Sequence, residues 1–222
     1  MTSWPDLLPI VSVSLRVSGA ALLISALFGI PLGLWLGLKR FAGRKLAIAI
    51  VYTGMAFPPV VIGLFVYVLL SRAGPLGRLA LPFVPDLFTT GAMIAAQTLL
   101  ALPLVAGLTM SAVLAIDPAL RQQLRALGAT DRQIAWQMVR EARGGIVLAL
   151  IGGFGAVISE VGAVMLVGGN IEGSTRTLTT AIVLETSKGD FAFALALGAL
   201  LLGVAFTVNA AALRLQGKSV EA

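Results

Sequence analysis

The feature that most limits what this chain can fold into is its series of apolar blocks, each about 20 residues or longer, separated by short polar connections. They run from about Leu7 to Leu38, Leu46 to Leu70, Thr90 to Ile116, Ile146 to Val167 and Phe191 to Leu213. Only 12% of the 222 residues are charged, where a soluble domain carries about 25%. The expected fold is therefore all-α and integral to a membrane, with about five transmembrane helices. Residues 1–222 read as a single membrane domain, leaving no room for a separate soluble engine. The first block is longer than the apolar core of a signal peptide, and Met1 to Asp6 carry no Lys or Arg, so it reads as a retained span. Pro31 is expected to kink the first span, and Pro58-Pro59 to break the second.

The connections carry basic residues unevenly. Lys39, Arg40, Arg44 and Lys45 lie in the first, Arg121, Arg125, Arg132, Arg140 and Arg143 in the third, and Arg214 and Lys218 in the tail. The opposite connections hold Arg72, Arg78, Arg176 and Lys188. The richer side should be cytoplasmic, which puts the N-terminus outside and the C-terminus inside a cell membrane. The net charge of +6 is thus a topology signal and not a nucleic-acid footprint. Trp4, Trp35 and Trp136 fit interfacial anchors. With no Cys and no His, thiol chemistry, His catalysis and metal ligation through these residues are excluded, and neither a catalytic nor a metal site is expected.

The third connection, from Asp117 to Gly145, contains start and stop signals for a pair of helices. Asp117-Pro118 begins one, Gly128 ends it, and Thr130 or Asp131 caps the next. Leu120, Leu124 and Leu127 share a face of the first helix. Such a pair either docks into a partner or lies solvated on the headgroups.

Deep in the fourth block sits Glu160. An isolated carboxylate at a helix centre costs about 2.5–3.5 kcal/mol on insertion scales, so it should be paired, protonated or facing water. Arg16 lies roughly nine residues into the first block and Glu160 about seven from the outer end of the fourth, so at ~1.5 Å per residue their depths match. An intramembrane ion pair between Arg16 and Glu160 is expected, serving as a static brace or as part of a gate. Gly29, Gly33 and Gly37 recur every fourth residue and should let another helix approach closely, as should Gly155, Ser159 and Ala163.

Asp117-Pro118, Leu127-Gly128-Ala129-Thr130 and the helix that follows resemble the cytoplasmic coupling loop of ABC importer permeases. Phe57-Pro58-Pro59 through Leu64, Gly74-Pro75-Leu76-Gly77, and Gln97 through Val105 resemble spans two and three of the molybdate/tungstate group. The stretch from Ile158 through Ile171, with Thr175 through Ile182, is most similar to tungstate-type permeases. The chain departs from the common pattern at Gln122-Gln123-Leu124, where many permeases carry Glu-Ala-Ala, and at Glu141-Ala142, where many carry Leu-Pro.

The resemblance implies a type I ABC importer permease for a tetrahedral oxoanion, tungstate or molybdate. It would form a pore with a second copy of itself and receive solute from an extracytoplasmic binding protein. A cytoplasmic ATPase dimer would engage the loop at Asp117, Pro118, Leu120, Leu124, Leu127, Gly128, Ala129 and Thr130. ATP and Mg would be bound by that ATPase, and this chain, which has no phosphate-binding Gly-Lys-Ser/Thr loop, would hold no cofactor. An oxoanion path needs N–H groups, hydroxyls and diffuse positive charge. On the resemblance, Ser159, Asn170, Thr175, Arg176, Thr179 and Thr180 are the pore or gate candidates; otherwise the stretch after Gly168 is an ordinary polar loop. The alternatives are an ABC permease for another small solute or a stand-alone secondary transporter. The latter would call for an internal repeat, and none is evident. A membrane enzyme would need a catalytic cluster that the sequence lacks.

Overall fold

A computed structural model describes residues 7–79 and 81–216. Trp4 and Lys218, invoked above, lie outside the described residues. Among those described, secondary structure is helical throughout. Helix α1 spans Leu7–Leu38 and runs unbroken through Pro31, which sits on an exposed face. Helices α2 (Arg44–Met55) and α3 (Pro59–Leu70) meet at 99°. The break follows from chemistry: Pro59 occupies the first turn of α3, where its missing N–H costs nothing, and Pro58 holds the chain extended at ψ 126°.

Helix α4 (Thr90–Leu114) is the hub, packing on α1, α2, α3, α7 and α8. Its near-complete small-residue burial at Ala92, Ala96, Ala101 and Ala106 allows this crowding. The α1 glycines face it as expected. A Cβ on Gly33 would collide with Ala106 O, and one on Gly29 would lie 3.1 Å from Leu102 O.

Helices α5 (Pro118–Ala126) and α6 (Asp131–Glu141) follow, and α6 bends by 53° into α7 (Arg143–Ile158). Then come α8 (Gly162–Gly168), α9 (Leu178–Ser187) and α10 (Phe191–Gln216). By length and apolar composition α1, α4 and α10 can each cross a membrane alone, and the bent pairs α2–α3 and α6–α7 bring the total to as many as 5. Outward-facing Leu23, Leu27, Leu195, Leu202 and Phe206 are the surface that lipid or a neighbouring subunit must cover.

One expectation fails. The block from Ile146 to Val167 is not one continuous helix but α7 and α8, interrupted at Ser159-Glu160-Val161. Gly155, Ser159 and Ala163 therefore do not form one packing stripe, and a Cβ on Gly155 would meet nothing within 4 Å.

Candidate functional site

A helix broken inside a membrane releases backbone groups that lipid cannot satisfy, so the protein must do so. Here several of the released groups have partners elsewhere in the chain. Val157 O accepts from Gln97 Nε2 at 2.8 Å and from Ser18 Oγ at 3.4 Å. Glu160 O accepts from Thr179 Oγ1 at 2.8 Å. Glu160 Oε1 accepts from the backbone N–H of Ala163 at 2.9 Å, closing the first turn of α8. Thus α1, α4 and α9 all hold the break through side chains distant in sequence.

The expected ion pair is absent among the described residues. Glu160 caps α8, a role available only because the helix stops there. Arg16 is exposed on α1 beside a cavity of about 840 Å³ that Thr90, Gly173 and Ser174 also line. A carboxylate that accepts a free helix N–H is already stabilised.

Beyond α8 the chain turns sharply. Gly169 and Asn170 both adopt positive φ, 71° and 50°. A Cβ on Gly169 would approach Phe88 Cδ1 to 2.8 Å, so glycine suits this turn twice over. Thr175 Oγ1 donates to Gly168 O and accepts from Ile171 N–H. Thr177 and Thr180 form a capping box at the start of α9, and Ser14 Oγ on α1 accepts from Leu178 N–H at 2.8 Å. Arg176 lies 3.4 Å from Glu172, and its Nε is buried without a partner among the described residues.

This corrects the reading of the threonines as open anion donors. Thr175, Thr179 and Thr180 are at most 5% exposed, and each is committed to an internal hydrogen bond. They fasten the loop and α9 to the broken span. Of the pore or gate candidates, Ser159 is exposed, although its hydroxyl donates to Gly155 O, and Asn170 and Arg176 are half-buried. Gln97 is the residue that sequence reasoning left without a role. Its signal was visible: a long amide placed amid apolar residues must find a backbone partner.

At the other end of α4, α5 and α6 form a separate, mostly exposed pair. Asp117 caps α5 by accepting from Ala119 N–H, at 2.8 Å. Gly128 ends that helix at φ 80°, and Thr130 with Gln133 forms the capping box that starts α6. Leu120 and Leu124 are half-buried, whereas Leu127 is 83% and Trp136 65% exposed. The pair thus presents two large apolar side chains to the outside, beside a shallow cavity of about 510 Å³ next to Trp136. Ala129 is half-buried between the helices.

Comparison with known proteins supplies the context. The profile of the binding-protein-dependent transport system inner membrane component family matches residues 29–218. A probable anion ABC transporter permease protein of Haloferax volcanii is 46% identical, over 96% of this chain and 92% of that protein. The tungstate uptake system permease protein TupB of Peptoclostridium acidaminophilum is 40% identical, over 96% and 91%. Among solved structures, an inward-facing MetNI methionine ABC transporter chain superposes with a TM-score of 0.75 at 20% identity, covering 96% of this chain and 97% of that one. That likeness concerns the fold.

Proposed function

The chain belongs to the family of binding-protein-dependent transport system inner membrane components, and from that premise we propose that it is the permease subunit of an ATP-driven importer of tetrahedral oxoanions, tungstate foremost. It is a multi-pass membrane transport subunit and not an enzyme. What carries the substrate assignment is the 40% identity, across 96% of the chain, to a permease named for tungstate uptake, alongside the 46% identity to one named for anions. Tungstate and molybdate share charge and shape, so the binding protein would choose between them.

In this reading two copies of the chain enclose the path, and an extracytoplasmic binding protein delivers the anion. A cytoplasmic ATPase dimer holds ATP and Mg and grips α5–α6 through Leu127 and Trp136. The N-terminus lies outside and the C-terminus in the cytoplasm, as the distribution of Lys and Arg favours. ATP-driven closure of the ATPases moves α6 and, through the 53° bend, α7. The break at Ser159–Val161 is where such a movement can be absorbed without tearing a continuous hydrogen-bond ladder. Because α9 is tied to Glu160 O, loop and break move together.

The test is mild-detergent purification of the chain from its host, followed by mass spectrometry. A stoichiometric ATPase whose turnover rises with oxoanion-loaded binding protein is expected. Recovery of the chain alone, under conditions that keep a known ABC complex together, would count against the proposal.

A further inference from the structure

Where α1, α2, α4 and α5 meet lies a cavity of about 550 Å³ that the transport reading does not use. Its lining includes Arg40, Arg44, Arg121 and Arg125 and no acidic residue. Two of these guanidiniums are fixed by the C-terminal carbonyls of α1: Arg44 Nε donates to Leu36 O at 2.8 Å and Arg121 donates to Leu38 O at 3.2 Å. Each retains N–H groups with no other partner, and Arg40 has no partner, among the described residues. Among the described residues Arg125 makes one polar side-chain contact, an exposed one to Asp131 at 3.4 Å. Guanidinium groups with N–H donors to spare, lining one space, form a receptor for a tetrahedral oxoanion such as phosphate.

Two sources could supply that chemistry, a free anion or a lipid headgroup, and the surroundings favour the lipid. The cavity opens where α1 ends at Leu38 and α4 at Leu114, the level at which headgroups lie. Trp35 and Phe41 stack there with centroids 4.2 Å apart, an interfacial aromatic pair. Val113, Leu114 and Ile116 give the cavity an apolar wall suited to acyl chains. Of the residues read as facing the ATPase, Pro118 alone lines the cavity. Pro118, Arg121, Gln122 and Arg125 face it, while Leu120, Leu124 and Leu127 fall on the opposite side of that helix.

We propose that the Arg40/Arg44/Arg121/Arg125 cavity binds the phosphate headgroup of an anionic phospholipid at the inner ends of α1 and α4. The site rests on those helices being spans and not on which anion is transported. Bound there, the headgroup bridges α1 to α5 and fixes the angle at which the α5–α6 pair leaves the membrane.

The test places the full chain, with the subunits that accompany it, in nanodiscs of phosphatidylglycerol or phosphatidylcholine and measures retained lipid by native mass spectrometry. Stoichiometric phosphatidylglycerol is expected to survive extraction, and phosphatidylcholine is not. The double variant R40Q/R125Q spares the two arginines that cap α1. It should retain phosphatidylglycerol about 30-fold more weakly, equivalent to about 2 kcal/mol for two surface charges. R140Q removes an exposed arginine outside the cavity and should retain it unchanged. Equal loss in R140Q, or no preference between the lipids, would overturn the site. Binding of inorganic phosphate without retention of phosphatidylglycerol would replace it with a free-anion site. Loss of the accompanying ATPase with unchanged lipid retention in R40Q/R125Q would assign these arginines to a subunit interface instead.

Discussion

Helices α5 and α6 follow the C-terminal end of α4, while the break between α7 and α8 lies against Gln97 in its N-terminal half, and the two regions are held in different ways. The caps and turn of the α5–α6 pair are built from neighbours in sequence: Asp117 on Ala119, Thr130 on Gln133, Gly128 at the turn. Among the described residues its outer face, with Leu127 and Trp136, is exposed. The break is built from strangers: Ser18, Gln97 and Thr179 come from three other segments to satisfy Val157 O and Glu160 O. A locally determined, exposed pair can keep its shape while it is pushed by a partner. A break satisfied from several helices changes shape only when those helices move too. The first arrangement suits a handle and the second a coupled hinge.

The contrast is broken most sharply by separating transport from stability. Changing Leu127 and Trp136 together to Arg is expected to abolish ATP-dependent uptake and release the ATPase, because a buried interface then carries unpaired charge. The melting temperature of the isolated chain should hardly change, since both side chains are exposed. A large fall in melting temperature would show that the pair is part of the chain's own core.

Gln97→Leu acts on the other region. It leaves Val157 O short of its best donor and should cost about 1–3 kcal/mol, read as reduced thermal stability in detergent. Uptake should fall with it. Full stability in this variant would mean that the break needs no help from α4.

The two capping boxes allow a matched pair. Thr130→Ala should cost about 1 kcal/mol. Thr177→Ala should cost more, because Thr177 is buried and also contacts Thr179 Oγ1 at 3.0 Å. Equal costs would erase the distinction between a local and a shared cap.

The smallest effect is expected of Glu160→Gln. It keeps an oxygen for Ala163 N–H, so stability should shift by no more than about 0.5 kcal/mol. A much larger loss, rescued by a neutral residue at Arg16, would restore the ion pair in place of the cap.

How much was legible follows the same division. The apolar blocks, the Pro58-Pro59 break, the glycine face of α1 and the caps at Asp117 and Thr130 all depend on residues within a few positions of each other. Each was therefore readable from the sequence. The break at Ser159–Val161 was not, because no proline marks it and hydropathy runs straight across. Glu160 was recognised as anomalous, but its depth suggested a charged partner when its real partner is the end of a helix. The threonines after Gly168 are not open donors, since only three dimensions reveal that Gly168 O and Glu160 O take up the hydroxyls of Thr175 and Thr179.

The most direct test of the account is uptake of labelled tungstate into liposomes holding this chain, its ATPase and its binding protein. Uptake is predicted to require hydrolysable ATP together with the loaded binding protein, and to vanish with the Leu127→Arg/Trp136→Arg variant. Tungstate entry driven by this chain alone under an ion gradient, indifferent to ATP and to that variant, would contradict it.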